Sequence, residues 1–498
     1  MMRRVTKKAS PAYLTVYLAI ILAMILSLYL ALIEGVRSNA IRLEAECVTD
    51  IAMNSVLAEY HRELLKQYNL FAVDTSYGVP IAVWDSTEEL AIFVGNLKTH
   101  LQKYLDRNMS MEDVFLSDFL YRDFLALSAE KLEMQTMQFL TDEQGAVFRK
   151  RAVEAVKNDV GLDLMEDLAQ WLDVFEENEL RERDIAAEKE TIDDRIKAYD
   201  GKQIQVSKEK WITLDIDNPT DKLEELRAKG ILQNVIDRPG QLSTKRISRT
   251  ALISERLTAG KAVQGNCTLE KMDDAEEWLE RFFFQEYIIR YMGRYGRVDT
   301  NNALLYQLEY LVSGQESDVE NLHRVVETLC AIRWVANVVY LYSDEEKCAQ
   351  AELLATVLAA LLEFPEIASL FKGVLLLGWA YAESLYDVES LLEGGSIPLI
   401  KDADSWRYDL ESALNSEEAE RDAASGLCYE DYLRILMCFT DLDTLTLRAM
   451  DMVEADIRQS RGNEGFRLDT CCDCVGVRVT IGSKYGYQYE VTREKKYR

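Results

Sequence analysis

Tyr13-Leu-Thr-Val-Tyr-Leu-Ala-Ile-Ile-Leu-Ala-Met-Ile-Leu-Ser-Leu-Tyr-Leu-Ala-Leu-Ile33 is the stretch that decides how this chain is organised. It sits in a run of 25 residues, from Ala9 to Ile33, without a charge. A helix that crosses a bilayer needs ~20 mainly apolar residues at ~1.5 Å each, and this run meets that length. A cleaved signal peptide has a shorter apolar core, roughly 7–15 residues, and a small-residue cleavage site. Here the run ends Leu32-Ile33-Glu34-Gly35 with no such site. The expectation is a retained transmembrane helix over 13–33.

Charge sets its orientation. Arg3, Arg4, Lys7 and Lys8 precede the span, whereas the far flank mixes Glu34, Arg37, Arg42, Glu44 and Glu46. The positive-inside bias puts residues 1–12 in the cytoplasm and everything after the span outside. Tyr13, Tyr17 and Tyr29 lie towards its ends, where amphipathic rings suit the interface. A second apolar stretch, Gly373 to Ala382, is bounded by Lys372 and Glu383. It is too short to span and reads as a buried helix.

Downstream of the span, residues 34–68 contain no proline, and Val36, Ala40, Leu43, Cys47 and Ile51 recur at helical spacing. The span is therefore expected to continue as one membrane-proximal helix, with a first break near Tyr68-Asn69. Leu70 to Val73 follows as a strand and Asp74 to Gly78 as a turn. Residues 87–200 read as helices. Leu164, Leu168, Leu172 and Phe175 form an apolar stripe. Beyond it, 176–200 is so charged, with sparse Ile185, Ile192 and Ile196, that it reads as a solvated helical arm or a weak helix pair. Trp211 to Ile216 alternates like a strand, and Asn218-Pro219 caps a helix that stops at Gly230. Residues 270–460 return to helix, with Leu279, Phe282, Phe283 and Tyr287 as an aromatic stripe and Gly394 to Lys401 as an ordered loop. At the end, Val475, Val477, Val479 and Ile481 alternate with polar or small residues, and Tyr485, Tyr487, Tyr489 and Val491 do likewise. That is a hairpin with one apolar face. It is expected to join the strands near 70–73 and 211–216 in a small sheet next to the membrane-proximal helix.

The fold class is thus mainly α with a small β-sheet. Its segments are 1–12 basic N-terminus, 13–33 span, 34–68 membrane-proximal helix, 69–200 strand plus helical arm, 201–265 mixed α/β, 266–465 helical body and 466–498 C-terminal hairpin. With 498 residues and 48% hydrophobic composition there is ample material for a core. The chain's net charge of −29 is +4 up to residue 33 and therefore −33 beyond the span. A body this acidic repels nucleic acid, which needs clustered Lys and Arg, and describes a solvated surface.

Motifs for chemistry are scarce. His61, His100 and His323 are the only histidines and none has ligand spacing. The phosphate-binding glycine loops and the G-x-S-x-G elbow are missing from the sequence. Asp215-Ile-Asp217-Asn-Pro resembles the start of a calcium loop but lacks its glycine and terminal glutamate. Cys471-Cys-Asp-Cys474 is tighter than a thiolate metal pair and has no second half. Buried thiols, a disulfide and a metal site stay open for Cys471, Cys472 and Cys474. Nine cysteines is an odd count, so at least one would be left over in an oxidising exterior. Asn108-Met-Ser110 and Asn266-Cys-Thr268 match the glycosylation sequon. The sequence offers no catalytic, cofactor-binding or metal-ligating residue, and no cofactor is expected.

Thr15-Val16 opening the apolar helix, Glu34-Gly35 and Arg37 at its exit, and Cys47-Val-Thr-Asp-Ile-Ala52 beyond it resemble the TadE/TadG-like pseudopilins of tight-adherence pili. Tyr17 stands where those proteins carry glutamate, and no glycine precedes the span as a prepilin cleavage site. Over most of its length the chain resembles an uncharacterised family of Gram-positive membrane proteins encoded near such pilus genes. The residues that carry this are Glu59 to Leu65, Leu70 to Gly78, Gly394 to Lys401, Phe466-Arg-Leu-Asp469 and the terminal tyrosine hairpin. The resemblance implies an anchored extracytoplasmic component of a Tad-like pilus or secretion apparatus, with the lipid bilayer and pilus or secretion proteins as partners. The alternatives are a membrane-tethered cell-envelope enzyme, and an extracellular adhesin or sensor acting through the arm at 176–200.

Overall fold

The computed structural model describes residues 11–78, 86–109, 127–161, 163–181, 183, 185–198, 203–207, 210–213, 230–236, 238–267, 274–362, 364–410, 413 and 426–497. The basic N-terminus, the Asp215–Asp217 segment and the helix expected after Asn218-Pro219 lie outside them.

One helix, α1 (Pro11–Leu57), carries the apolar run and continues without interruption for 47 residues, ~70 Å at 1.5 Å per residue. It ends at Leu57, earlier than the break expected near Tyr68. The chain turns at Ala58–Tyr60, and His61 caps a separate helix, α2 (Arg62–Tyr68), by accepting a hydrogen bond from the Leu64 N–H. Asn69 closes α2 in the left-handed conformation, φ 52°. After β1 (Val73–Asp74) comes α3 (Ser86–Met109).

Then the expectation of continuous helix fails: Leu127–Phe139 is a strand, β2. Its Leu, Glu, Lys, Met and Gln residues favour helix, and three register shifts destroy the period-two alternation that would have betrayed it. It pairs antiparallel with β7 (Cys471–Ser483), which pairs with β8 (Gln488–Lys496) as the expected hairpin. Val73–Asp74 joins β7 at Cys472 and Cys471. The strand expected at 211–216 does not join. Among the described residues β4 (Lys210–Thr213) pairs only with β3 (Gln203–Ser207), a strand the sequence pattern hid. A further pair, β5 (Ser396–Ile397) with β6 (Leu427–Cys428), stands apart. Gly476 on β7 lies opposite a shift in β2. A Cβ there would meet the Thr136 hydroxyl at 1.9 Å, so only glycine lets the strands approach.

Val475, Val477, Val479 and Ile481 are buried as expected. Together with Leu132 and Met137 of β2 they pack on α1 and α3 through Ala45, Val48, Ala52, Val56, Phe93, Leu97 and Leu101. A second, larger core fills the helical body, centred on Asp318–Ser343 and Ala368–Leu392. The latter contains Gly373–Ala382 as the buried helix anticipated. Leu168 and Phe175 of the 164–175 stripe are buried. The helical arm is not free-standing: its charged face is exposed, but Ile185 and Ile196 on the other face are 2% and 3% exposed. Ile192 meets Gly373 of the Ala368–Leu392 helix. Gly373, with no side chain, lets Ile192 approach this closely. In the aromatic stripe, Phe282 and Tyr287 are buried, as is Phe284, while Leu279 stays exposed.

Candidate membrane-proximal surface

Helix α1 has two environments. From Tyr13 to Ile33 nearly every residue is exposed, with no fully buried side chain. Leu22 is 67% exposed and Met24 66%. Leaving this much apolar surface in water would cost ~25 cal/mol per Å², far beyond what a soluble fold tolerates as a patch. From Ile41 onward one face turns inward. Ile41, Ala45, Val48, Ala52 and Val56 are at most 1% exposed. The face read from the sequence is a different one. Val36, Leu43, Cys47 and Ile51 look outward, so α1 carries a second apolar seam beside the packed one.

Strand β8 runs alongside this half of α1, in the same direction. Tyr487 Oη donates to the Glu34 carboxylate. The Tyr489 and Ser38 hydroxyls are 2.6 Å apart. Arg493 reaches Glu46 at 3.1 Å and Asp50 at 3.5 Å, and Lys495 Nζ donates to Asn54 Oδ1 at 2.9 Å. Tyr497 Oη donates to the Leu57 carbonyl. The match is geometric: two strand residues advance about 6.6 Å and four helical residues about 6 Å. Odd-numbered β8 side chains therefore keep meeting every fourth helical position. Alternation predicts one inward face, and Val491 at 5% exposed is its centre.

Where α1 ends, Glu59 gathers three partners. Tyr104 Oη donates at 2.6 Å, Tyr77 Oη at 3.0 Å, and His100 Nδ1 lies 3.0 Å away. The Tyr77 and His100 rings stack at 3.8 Å. Burial and the Glu59 charge push the Tyr77 hydroxyl well above its ordinary range. This junction ties α1 to α3 and the turn after β1.

Elsewhere a polar cleft of about 830 Å³ opens between α2 and the 290–302 region, with Lys66, Lys245, Arg297, Asp299 and Asp456 on its walls. Burial pushes Asp456 up to about 6. Its oxygens are engaged: Tyr68 Oη at 2.5 Å, the Ala303 N–H at 2.6 Å and Gln307 Nε2 at 2.6 Å all donate to them. Lys245 Nζ donates to the Thr300 and Asn302 carbonyls. The cleft's central charges are therefore committed to holding the fold.

The helical body hides an ionic cluster. Asp387 lies 2.9 Å from Arg333 Nε and 2.6 Å from Lys401 Nζ, and Lys401 also pairs with Glu383. All four side chains are fully buried. Arg333 also donates to the Pro398 and Leu399 carbonyls at 2.9 and 2.7 Å, and the Arg407 and Tyr408 N–H groups donate to Glu383. The cluster is what orders the Gly394–Lys401 loop. Two cations answer two anions, holding Asp387 below the usual carboxylate range.

The three histidines stay apart. His61 Nε2 lies 3.1 Å from Asn463 Oδ1, His100 sits at Glu59, and His323 is 4.0 Å from Glu327. Cys471, Cys472 and Cys474 are buried free thiols. Burial raises all three, Cys474 to about 12. Among the described residues no group of three His, Cys, Asp or Glu side chains could hold a metal. Asn266 donates to the Gln135 carbonyl at 2.7 Å and accepts from the Met137 N–H at 2.8 Å, so its amide is engaged with β2. The hairpin's place beside the membrane-proximal helix is the one expected from the sequence; the residue-by-residue pairing of Tyr487, Tyr489, Arg493 and Lys495 with successive turns of α1 was not read from it.

Residues 209–483, more than half of the chain, match a family of unknown function. Neither a curated protein nor a solved structure matches the chain.

Proposed function

The chain belongs to the DUF5702 family of unknown function, and on that premise we propose that it is a membrane-anchored extracytoplasmic component of a Tad-like pilus or secretion apparatus, working through protein contacts. The observation that carries the anchor is the solvent-facing apolar half of α1, in one unbroken helix with a half that is packed into the body. A cleaved leader would have no reason to share a rigid helix with the core. The four cations before the span support a cytoplasmic N-terminus and an acidic body outside.

Two features support a role in contacts. The seam of Val36, Leu43, Cys47 and Ile51 leaves the bilayer on the same helix that anchors the chain. On the helix Glu345–Leu361, Ala351, Ala355 and Ala359 face inward while Leu353, Val357 and Leu361 are 70%, 48% and 75% exposed. The buried Asp456 carboxylate of the polar cleft is tied up by backbone and side-chain donors, which favours contact over chemistry.

The anchor is tested by fractionation and by protease added to spheroplasts. The full chain should stay with membranes through carbonate washing, and its body should be digested from outside. A body cleaved only after lysis would reverse the topology. The pilus role is tested by clean deletion of the gene: pilus assembly or adhesion should be impaired, and normal pili would remove that role.

A further inference from the structure

We infer that the tip of the β7–β8 hairpin, Lys484, Tyr485 and Tyr487, is a second membrane contact, made with the phospholipid headgroups of the bilayer that α1 crosses. The inference rests on the anchor reading above and adds a surface to it.

The tip's position is fixed by its contacts with the first polar turn of α1. Tyr487 Oη donates to Glu34, the first charged residue after the apolar run. The Arg37 guanidinium lies 4.2 Å above the Tyr485 ring and 3.2 Å from the Glu34 carboxylate. Arg37 is four positions beyond Ile33, about 6 Å along the helix axis. The headgroup layer on one side of a bilayer is about 5–8 Å thick, the difference between total and hydrocarbon thickness shared over two leaflets. A tip level with residues 34–37 therefore stands within that layer.

Its chemistry suits the place. Tyr485 is 38% exposed, and Lys484 lies beside it with its ammonium 5.3 Å from the ring. Tyrosine rings, apolar with one polar end, and long cations with an apolar stem are the side chains that sit at a water–lipid boundary. The turn itself is rigid: the Ser483 N–H donates to the Tyr487 carbonyl and the Gly486 N–H to the Ser483 carbonyl, with Gly486 at φ 81°. Because β8 is laddered to α1 from Glu34 to Leu57, the tip cannot shift along the helix without breaking that ladder. A lone span leaves the body free to spin and tilt about its axis. A second contact at the same surface removes that freedom and presents one face of an acidic body at a set height.

The test uses the full chain in phosphatidylcholine–phosphatidylglycerol vesicles containing a phosphatidylcholine with a photoactivatable diazirine in its headgroup. Lipid adducts are mapped by mass spectrometry after illumination. Adduct yield at Lys484–Tyr487 should exceed several-fold that at Tyr342, which is more exposed to solvent at 51% but remote from α1. Lys484→Ser with Tyr485→Ser should bring it down to that background. A tip at the Tyr342 level while peptides flanking the span are labelled would overturn this inference and leave the anchor standing. A chain unlabelled at both sites would overturn the anchor itself.

Discussion

The Tyr489 hydroxyl lies 2.6 Å from that of Ser38, tying residues 451 apart in sequence. The contact welds the last strand to the helix that leaves the apolar run, so the body is held along the stem of its own anchor rather than hung from a linker.

That weld should be measurable. Tyr489→Phe removes one hydroxyl pair and Arg493→Ala two half-exposed ion pairs. Together they should cost about 1–2 kcal/mol, read as a lower Tm of the detergent-solubilised full chain. The arginine's share should fade in high salt. An unchanged Tm would mean that the ladder adds nothing to stability.

The buried ionic cluster should behave differently from these surface pairs. Lys401→Met leaves Glu383 and half of Asp387 without their cation in a fully buried site, at a cost of about 3–5 kcal/mol. Adding Glu383→Gln should recover part of it, because one uncompensated charge is gone. Urea midpoints of the two variants decide this; equal losses would argue against charge as the cause.

Between β2 and the helix that follows, Glu143, Gln144 and Gly145 all have positive φ, at 52°, 57° and 86°. A left-handed residue with a side chain costs about 1–2 kcal/mol. Gln144→Gly should therefore stabilise the chain by about 1 kcal/mol. Gly145→Ala should do the opposite, by about 3 kcal/mol, because a Cβ there would stand 2.5 Å from Met450 Cε. Opposite shifts in Tm at neighbouring positions are the signature.

Acidity should also register. Burial pushes Asp142, Asp451 and Asp456 up to about 6 and Glu309 to about 7. Unfolded, they titrate near 4. The folded state thus binds more protons between these values, so their contribution is fully present below pH ~4 and is lost as pH rises through 6 to 7. Asp387 and Asp469 are held below the usual range by arginine and lysine partners, so they do not change charge in that window. The chain should melt at a higher temperature at pH 5 than at pH 8, and Glu309→Gln should flatten the upper part of the slope. A Tm that rises from pH 5 to 8 would contradict this.

The sequence by itself determined the exposed apolar half of α1, the helical class of the body and the β7–β8 hairpin. Each is written in a run of adjacent residues: an uncharged stretch, a helical period, a two-residue alternation. It also laid out the Val36, Leu43, Cys47 and Ile51 seam, but periodicity names a face without saying what covers it. Only the tertiary structure decided that Ile41, Ala45 and Val48 are the covered side. It alone revealed β2, whose helix-forming residues and bulges obey no period, and it docked the 185–197 helix that composition had placed in water. The Glu59 junction, the Arg333–Asp387–Lys401–Glu383 cluster and the β8 ladder draw their members from distant segments. No local pattern encodes them, because burial and charge pairing are settled between segments that meet only when the chain has folded.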